Sequence, residues 1–181
     1  MADPLVTAAQ LHAIMPLAGA RADTYAPILA DVMLFRQINT PARAAAFLAQ
    51  VGHESGQLLY VRELWGPTPA QQRYDGRADL GNTQPGDGKR FLGRGLIQIT
   101  GRKNYADCGA ALGIDLISHP EMLEQPQYAA ASAAWFWLQR NLNRFADRGD
   151  IVWLTRAING GTNGIADRRA LWERAKAALC S

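Results

Sequence analysis

Cysteine is almost missing from this chain. Cys108 and Cys180 are the only two in 181 residues, and they stand too far apart in sequence to suggest a disulfide framework or a metal-ligand pair. They are expected to be free thiols, buried or terminal, in a protein made in the cytoplasm. Histidine is nearly as scarce: His12, His53 and His119 are scattered, so no metal is expected. No stretch approaches the roughly 20 apolar residues of a membrane span. The opening MADPLVTAAQLHAIMP lacks the basic start and unbroken apolar core of a secretion signal. Neither stable membrane association nor secretion is expected. Charge is modest, with 19 Lys and Arg against 16 Asp and Glu. The basic residues are dispersed rather than striped along one face, which argues against nucleic acid. The small positive excess suits a polyanionic partner. Repeats, low-complexity runs and linkers are also lacking, so residues 1–181 read as one domain, large enough to bury a core. A monomer is expected.

What is present is helical. Hydrophobic residues make up 48% and charged residues 19%, and much of the apolar content lies in alanine-rich amphipathic runs. Residues 6–18 form a first expected helix, with Thr7 as N-cap and Pro16 limiting its end. Ile28, Leu29, Val32 and Phe35 mark one face of a second, over 25–35. Thr40-Pro41 is a strong start signal, a capping hydroxyl followed by a proline whose missing N–H costs nothing at that position. Residues 123–142 are apolar almost all round and predict a buried central helix, with Trp135 and Trp137 in the core. A short helix over 151–158 precedes the glycine-rich loop 159–164, and a last helix opens at Asp167 and runs to about 179.

The most informative stretch is 44–63, AAAFLAQVGHESGQLLYVRE. Ala44, Phe47, Leu48 and Val51 fall on one stripe of a helix. Glu54 lies at its border, where partial desolvation would raise its pKa and favour a proton-donor role. Removing such a carboxyl should leave stability unchanged or raise it. Glu63 follows nine residues later, past the helix end expected at Ser55-Gly56. Two carboxylates in unlike environments are the basic apparatus of glycoside hydrolysis. Taken singly, a glutamate at the edge of an amphipathic helix reads first as an ion-pair partner on a solvated face, with Arg43 and Arg62 available. His53 reads as a hydrogen-bonded structural histidine.

Residues 66–89 are rich in Gly, Pro, Asn and Asp, too long for a plain connection. They would form either a cleft wall or a loose solvent loop. In the next stretch, FLGRGLIQITGRKNY, the glycines do not fit a nucleotide-binding fingerprint. Residues 96–100 alternate like a short strand, which would put Gln98 and Thr100 on one side, opposite Ile97 and Ile99. An amide and a hydroxyl so placed suit sugar hydroxyls or a held water.

Three segments together, AAFLAQVGHESG, YDGRADLGNTQPGDGKRFLGRGLIQITGRKNY and INGGTNG with the following DRR, resemble glycoside hydrolase family 19 and especially its short phage-type endolysins. The resemblance implies a mainly α, lysozyme-like fold with a short β-hairpin or strand region lining the cleft. It implies that Glu54 is the general acid, Glu63 the general base on water, and Thr100 a residue that helps hold that water. Gln98, Asn104, Tyr105 and Asn159 would line the sugar cleft, and Arg168 would pair with carboxylates near the acid. Only nine residues separate the two glutamates, a departure from the plant members. The function implied is inverting cleavage of β-1,4 bonds in peptidoglycan glycan strands, with no metal or organic cofactor, by an enzyme that accumulates in a host bacterial cytoplasm. It would reach the periplasmic wall after a separate protein permeabilises the membrane. A chitinase on the same fold and a non-catalytic glycan-binding module are the competing readings.

Overall fold

The computed structural model describes residues 5–179. The helices are α1 (Ala8–Ile14), α2 (Arg21–Phe35), α3 (Pro41–Glu54), α4 (Pro69–Gln72), α5 (Asp87–Arg90), α6 (Arg102–Leu112), α7 (Pro126–Gln139), α8 (Asn143–Ala146), α9 (Ile151–Asn159) and α10 (Ile165–Leu179). Short 3-10 turns cover Pro16–Ala18, Ala78–Leu80 and Pro120–Glu124. The fold is mainly α. No helix among the described residues is long and apolar enough to cross a membrane.

Local signals set the helix starts. Thr7 caps α1 through a reciprocal pairing with Gln10, satisfying N–H groups that have no partner within the helix. Thr40 caps α3 by accepting from the Arg43 N–H, with Pro41 at the first position. The expected first helix is split: α1 closes at Ile14 and Pro16 opens a separate 3-10 turn. The helix expected over 123–142 is likewise shorter, because Pro126 starts α7 anew after the 3-10 turn at 120–124.

Two hydrophobic clusters organise the chain. The larger joins α1, α2, α3, α7, α9 and α10, and in α3 every residue from Ala44 to Gly52 is buried. It is α3 that is the most enclosed helix; α7 leaves Leu138, Gln139 and Arg140 exposed at its end. Gly52 lets α3 approach closely, since a Cβ there would stand 3.1 Å from side-chain carbons of Leu171 and Met15. The smaller cluster holds Phe91, Ile99, Tyr105, Cys108, Leu116, Leu123 and Trp135. Helix α7 serves both, placing Ala133 and Trp137 in the first and Trp135 in the second. Burial pushes the Cys108 thiol up to about 12; Cys180 lies outside the described residues.

Residues 96–100 are not a strand. Arg94 and Ile99 exchange two backbone hydrogen bonds, of 3.1 and 2.7 Å, around a four-residue turn in which Gly95 and Gln98 are left-handed. The Leu96 N–H goes to Ala129 O of α7, so a helix occupies the side where a neighbouring strand would have to pair. Isolated bridges, Arg62 to Arg94 and Arg94 to Ile99, are the β-structure found among the described residues.

Candidate active site

Between the two clusters lies an open cleft of about 1120 Å³. Its walls come from the end of α3 (Glu54), the turn 97–100, α6 (Asn104, Asp107), the end of α7 (Gln139, Arg140), the end of α9 (Ile158, Asn159) and the 66–89 segment (Tyr74, Arg77, Leu80).

Glu54 is the last residue of α3, where the chain emerges from the core. Its Oε1 accepts from Arg168 Nη2 at 2.5 Å. The Arg168 side chain is 2% exposed, that of Glu54 20%. The guanidinium also donates through Nη1 to Gln50 Oε1 and through Nε to Asn163 O at 3.2 Å. Gln50, one helical turn before Glu54 and wholly buried, reaches Thr155 of α9 through its amide nitrogen at 3.4 Å. A network of α3, α9 and α10 thus fixes the carboxylate. The carboxylate expected in apolar surroundings meets a buried cation instead. Neither Arg43 nor Arg62 serves it: Arg43 binds Asp147 and Arg62 lies 3.9 Å from Glu124.

The loop after α9 completes this side. Asn163 O accepts from Asn159 Nδ2 (3.2 Å) as well as from Arg168, and Asn159 Oδ1 accepts from Gly161 N. Gly164 is left-handed, and a Cβ there would fall 2.1 Å from His53 Cε1. No other residue fits without displacing that ring. His53 pairs with Asp167 at 2.7 Å, a structural tie between α3 and α10.

Glu63 is held differently. Its Oε1 accepts from Gln71 Nε2 at 3.0 Å and Tyr74 Oη at 3.4 Å, its Oε2 from Gly93 N at 3.1 Å. All three donors are neutral. Burial, then the nearby Glu63 charge, pushes the Tyr74 hydroxyl above its ordinary value. Gly93 links Glu63 to the water-holding candidate, because a Cβ on it would lie 2.6 Å from Gln98 Oε1 and 3.3 Å from Thr100 Oγ1. Thr100 donates its own proton to Gln98 O at 2.9 Å, so toward the cleft its hydroxyl can only accept.

The 66–89 segment is an ordered wall. Asn82, fully buried, donates to Tyr74 O and accepts from Arg102 N at 2.8 Å. It thereby supplies the cap that Gly101, with no side chain, cannot give α6. Asp87 pairs with Arg102 through two hydrogen bonds of 2.8 and 2.5 Å. Those bonds hold its carboxyl below the usual carboxylate range.

Of the residues singled out from sequence, Glu54, Gln98, Thr100, Asn104 and Asn159 line the cleft together. Glu63 adjoins it through Tyr74, and Arg168 stands behind Glu54. Tyr105 does not line it. Its side chain is wholly buried, donating to Leu92 O at 2.6 Å and accepting from Arg94 at 3.0 Å, and burial raises its pKa. Packing of α6 turns Tyr105 toward the smaller cluster, while Asn104, one residue earlier, faces the cleft. Sequence reasoning missed Gln50, Gln71 and Tyr74. Gln50 was findable, four residues before Glu54 on the same helix face; Gln71 and Tyr74 carry no periodic signal. Among the described residues no group of three or more His, Cys, Asp or Glu could hold a metal ion.

A mainly helical domain with an open polar cleft and two differently held carboxylates defines the class: a lysozyme-like glycoside hydrolase. The sequence profile of class I chitinases matches residues 36–153. A family 19 domain-containing protein of Haemophilus influenzae is 34% identical over 155 aligned positions, covering 71% of this chain and 76% of that one. An endochitinase of Arabidopsis thaliana is 40% identical over 118, covering 65% of this chain and 39% of that protein. Among solved structures, chitinase C from Streptomyces griseus superposes with a TM-score of 0.77 at 26% identity, covering 100% of this chain and 79% of that one. The chain belongs to glycoside hydrolase family 19 and is a chitinase-like enzyme.

Proposed function

We propose that the enzyme hydrolyses β-1,4 glycosidic bonds of peptidoglycan with inversion. Glu54 protonates the leaving oxygen. Arg168 engages its Oε1 alone, which leaves Oε2 to carry the transferred proton. Glu63, held by neutral donors, takes a proton from the attacking water, and Thr100 accepts that water's other hydrogen. Gln98, Asn104 and Asn159 bind sugar groups, and Arg168 acts through Glu54 as a positioning residue. Inversion requires room for a water between the carboxyls, a separation of roughly 6.5–9.5 Å. The observation that carries the reading is the placement of two carboxylates at one cleft, Glu54 in its wall at the end of α3 and Glu63 beside it on the cleft residue Tyr74.

The anionic stems of peptidoglycan suit a chain of net charge +3. Chitin is favoured by the names of the relatives, several of which are endochitinases. We further propose a monomer that acts on the wall from the host cytoplasm after a separate protein opens the membrane. Purified peptidoglycan and chitin oligomers incubated with wild type and with Glu54→Gln decide the substrate. Soluble muropeptides released by wild type alone, with inverted anomeric configuration at the new reducing ends, are expected. Efficient chitin digestion with inert peptidoglycan overturns the substrate, and release by Glu54→Gln near the wild-type rate overturns the acid.

A further inference from the structure

Helix α9 borders two grooves. Ile158 and Asn159 line the cleft. Trp153, Arg156 and Ala157 line a second open groove of about 620 Å³ with Arg144, Phe145 and Arg148. Arg144, Arg148 and Arg156 are all exposed, and none takes part in an ion pair among the described residues. The acids nearest in sequence are committed elsewhere: Asp147 binds Arg43, and Asp150 caps α9 by accepting from Trp153 N. Two of the arginines are oriented by stacking, Arg144 over Phe145 at 4.5 Å and Arg156 over Trp153 at 5.0 Å. Trp153 is nevertheless 54% exposed.

Three like charges with no carboxylate within ion-pair distance of any of them repel one another, and an anion binding among them relieves that repulsion. The guanidinium fork matches a carboxylate with two parallel hydrogen bonds. The groove also adjoins the cleft, since Ala157 and Gly160 of its lining flank Ile158 and Asn159 of the cleft wall. Arg140, a cleft residue, donates to Ala157 O of the groove at 3.0 Å, so the arginines lie next to one end of the cleft.

We propose that this groove is a second binding site on the same glycan strand, where the arginines take carboxylates of the peptide stems. Those stems are carried by peptidoglycan and absent from chitin. The inference rests on the peptidoglycan reading above and gives it a structural basis for substrate choice.

The test uses Glu54→Gln, so that nothing is digested, and compares it with the same protein carrying R144Q, R148Q and R156Q. Both are assayed for retention on purified sacculi free of teichoic acid, and on glycan strands stripped of stems by an amidase. Equal melting temperatures confirm that the exposed substitutions leave the fold intact. The expected result is about a tenfold loss of retention on intact sacculi at low salt, the size three surface charge pairs supply. That loss should shrink in high salt, and the two proteins should bind stem-free strands alike. Equal retention on intact sacculi overturns the proposal. So does an equal loss on stem-free strands, or retention by the parent on isolated teichoic acid with none on sacculi. Cleavage is read separately with wild type. Undigested sacculi that still need the arginines for retention remove the cleavage reading and leave the groove standing; digestion without arginine-dependent retention removes the groove alone.

Discussion

The two carboxylates beside the cleft are held by opposite means. Glu54 sits on a guanidinium that is itself buried among α3, α9 and α10, whereas Glu63 is cradled by an amide, a phenol and a backbone N–H. A charge on a charge is rigid and costly to disturb, since removing one partner strands the other in a poorly solvated place. A carboxylate held by neutral donors loses one hydrogen bond at a time. The difference teaches that the Glu54 side of the site is part of the core, and the Glu63 side is part of a loop pinned to it.

Substituting the carboxylates themselves has the largest effect. Glu54→Gln and Glu63→Gln should each lower the hydrolysis rate by about 10²–10⁴-fold, measured as release of soluble fragments. Glu54→Gln should also lower the melting temperature, because Arg168 loses its counter-ion. That reverses the expectation of unchanged or raised stability drawn from an apolar setting. An unchanged melting temperature would show that the glutamine oxygen satisfies the guanidinium as well as the carboxylate does.

Next comes the clamp. Arg168→Gln leaves Glu54, Gln50 and the Asn163 carbonyl without their shared donor and should cost about 3–5 kcal/mol in denaturant unfolding. Arg168→Lys should recover little of it, because an ammonium cannot serve three acceptors in the planar fork's directions. Full recovery by lysine would mean that charge alone matters on the Glu54 side.

The Glu63 side should yield more gently. Asp87→Asn weakens the pairing with Arg102 that anchors the loop bearing Tyr74, at about 2 kcal/mol. The sign with pH follows from its lowered pKa. Asp87 contributes stability that is present above its ordinary value near 3.8 and lost as pH falls through the lower folded-state value. Thermal melts taken from pH about 6 down to about 2 should show an acid-induced loss that is smaller in Asp87→Asn. Identical acid limbs would remove Asp87 from the account.

Smallest is Thr100→Ala, which removes the acceptor proposed for the water. A loss worth about 0.5–1.5 kcal/mol, roughly two- to tenfold in rate, is expected. If it exceeds the loss in Glu63→Gln, the base is misassigned.

Much of this was legible in one dimension. Helix starts at Thr7 and Thr40, the apolar stripe of α3 and the turn chemistry of 66–89 are local properties, decided by capping groups, periodicity and backbone preference. The strand expected at 96–100 failed because alternation records only which side chains are buried. Ile97 and Ile99 are indeed buried and Gln98 and Thr100 half-buried, but in a tight turn against α7. Tyr105 shows the same limit, since its facing depends on how α6 packs and not on its neighbours in sequence.

By itself, then, the sequence determined the mainly helical class, the position of Glu54 at the end of α3, and through its motifs the family. Only the tertiary structure decided what surrounds the two carboxylates. Arg168 lies 114 positions from Glu54 and Gly93 30 from Glu63. Long-range partners of this kind leave no periodic trace, because they are set by how helices pack rather than by the spacing along any one of them.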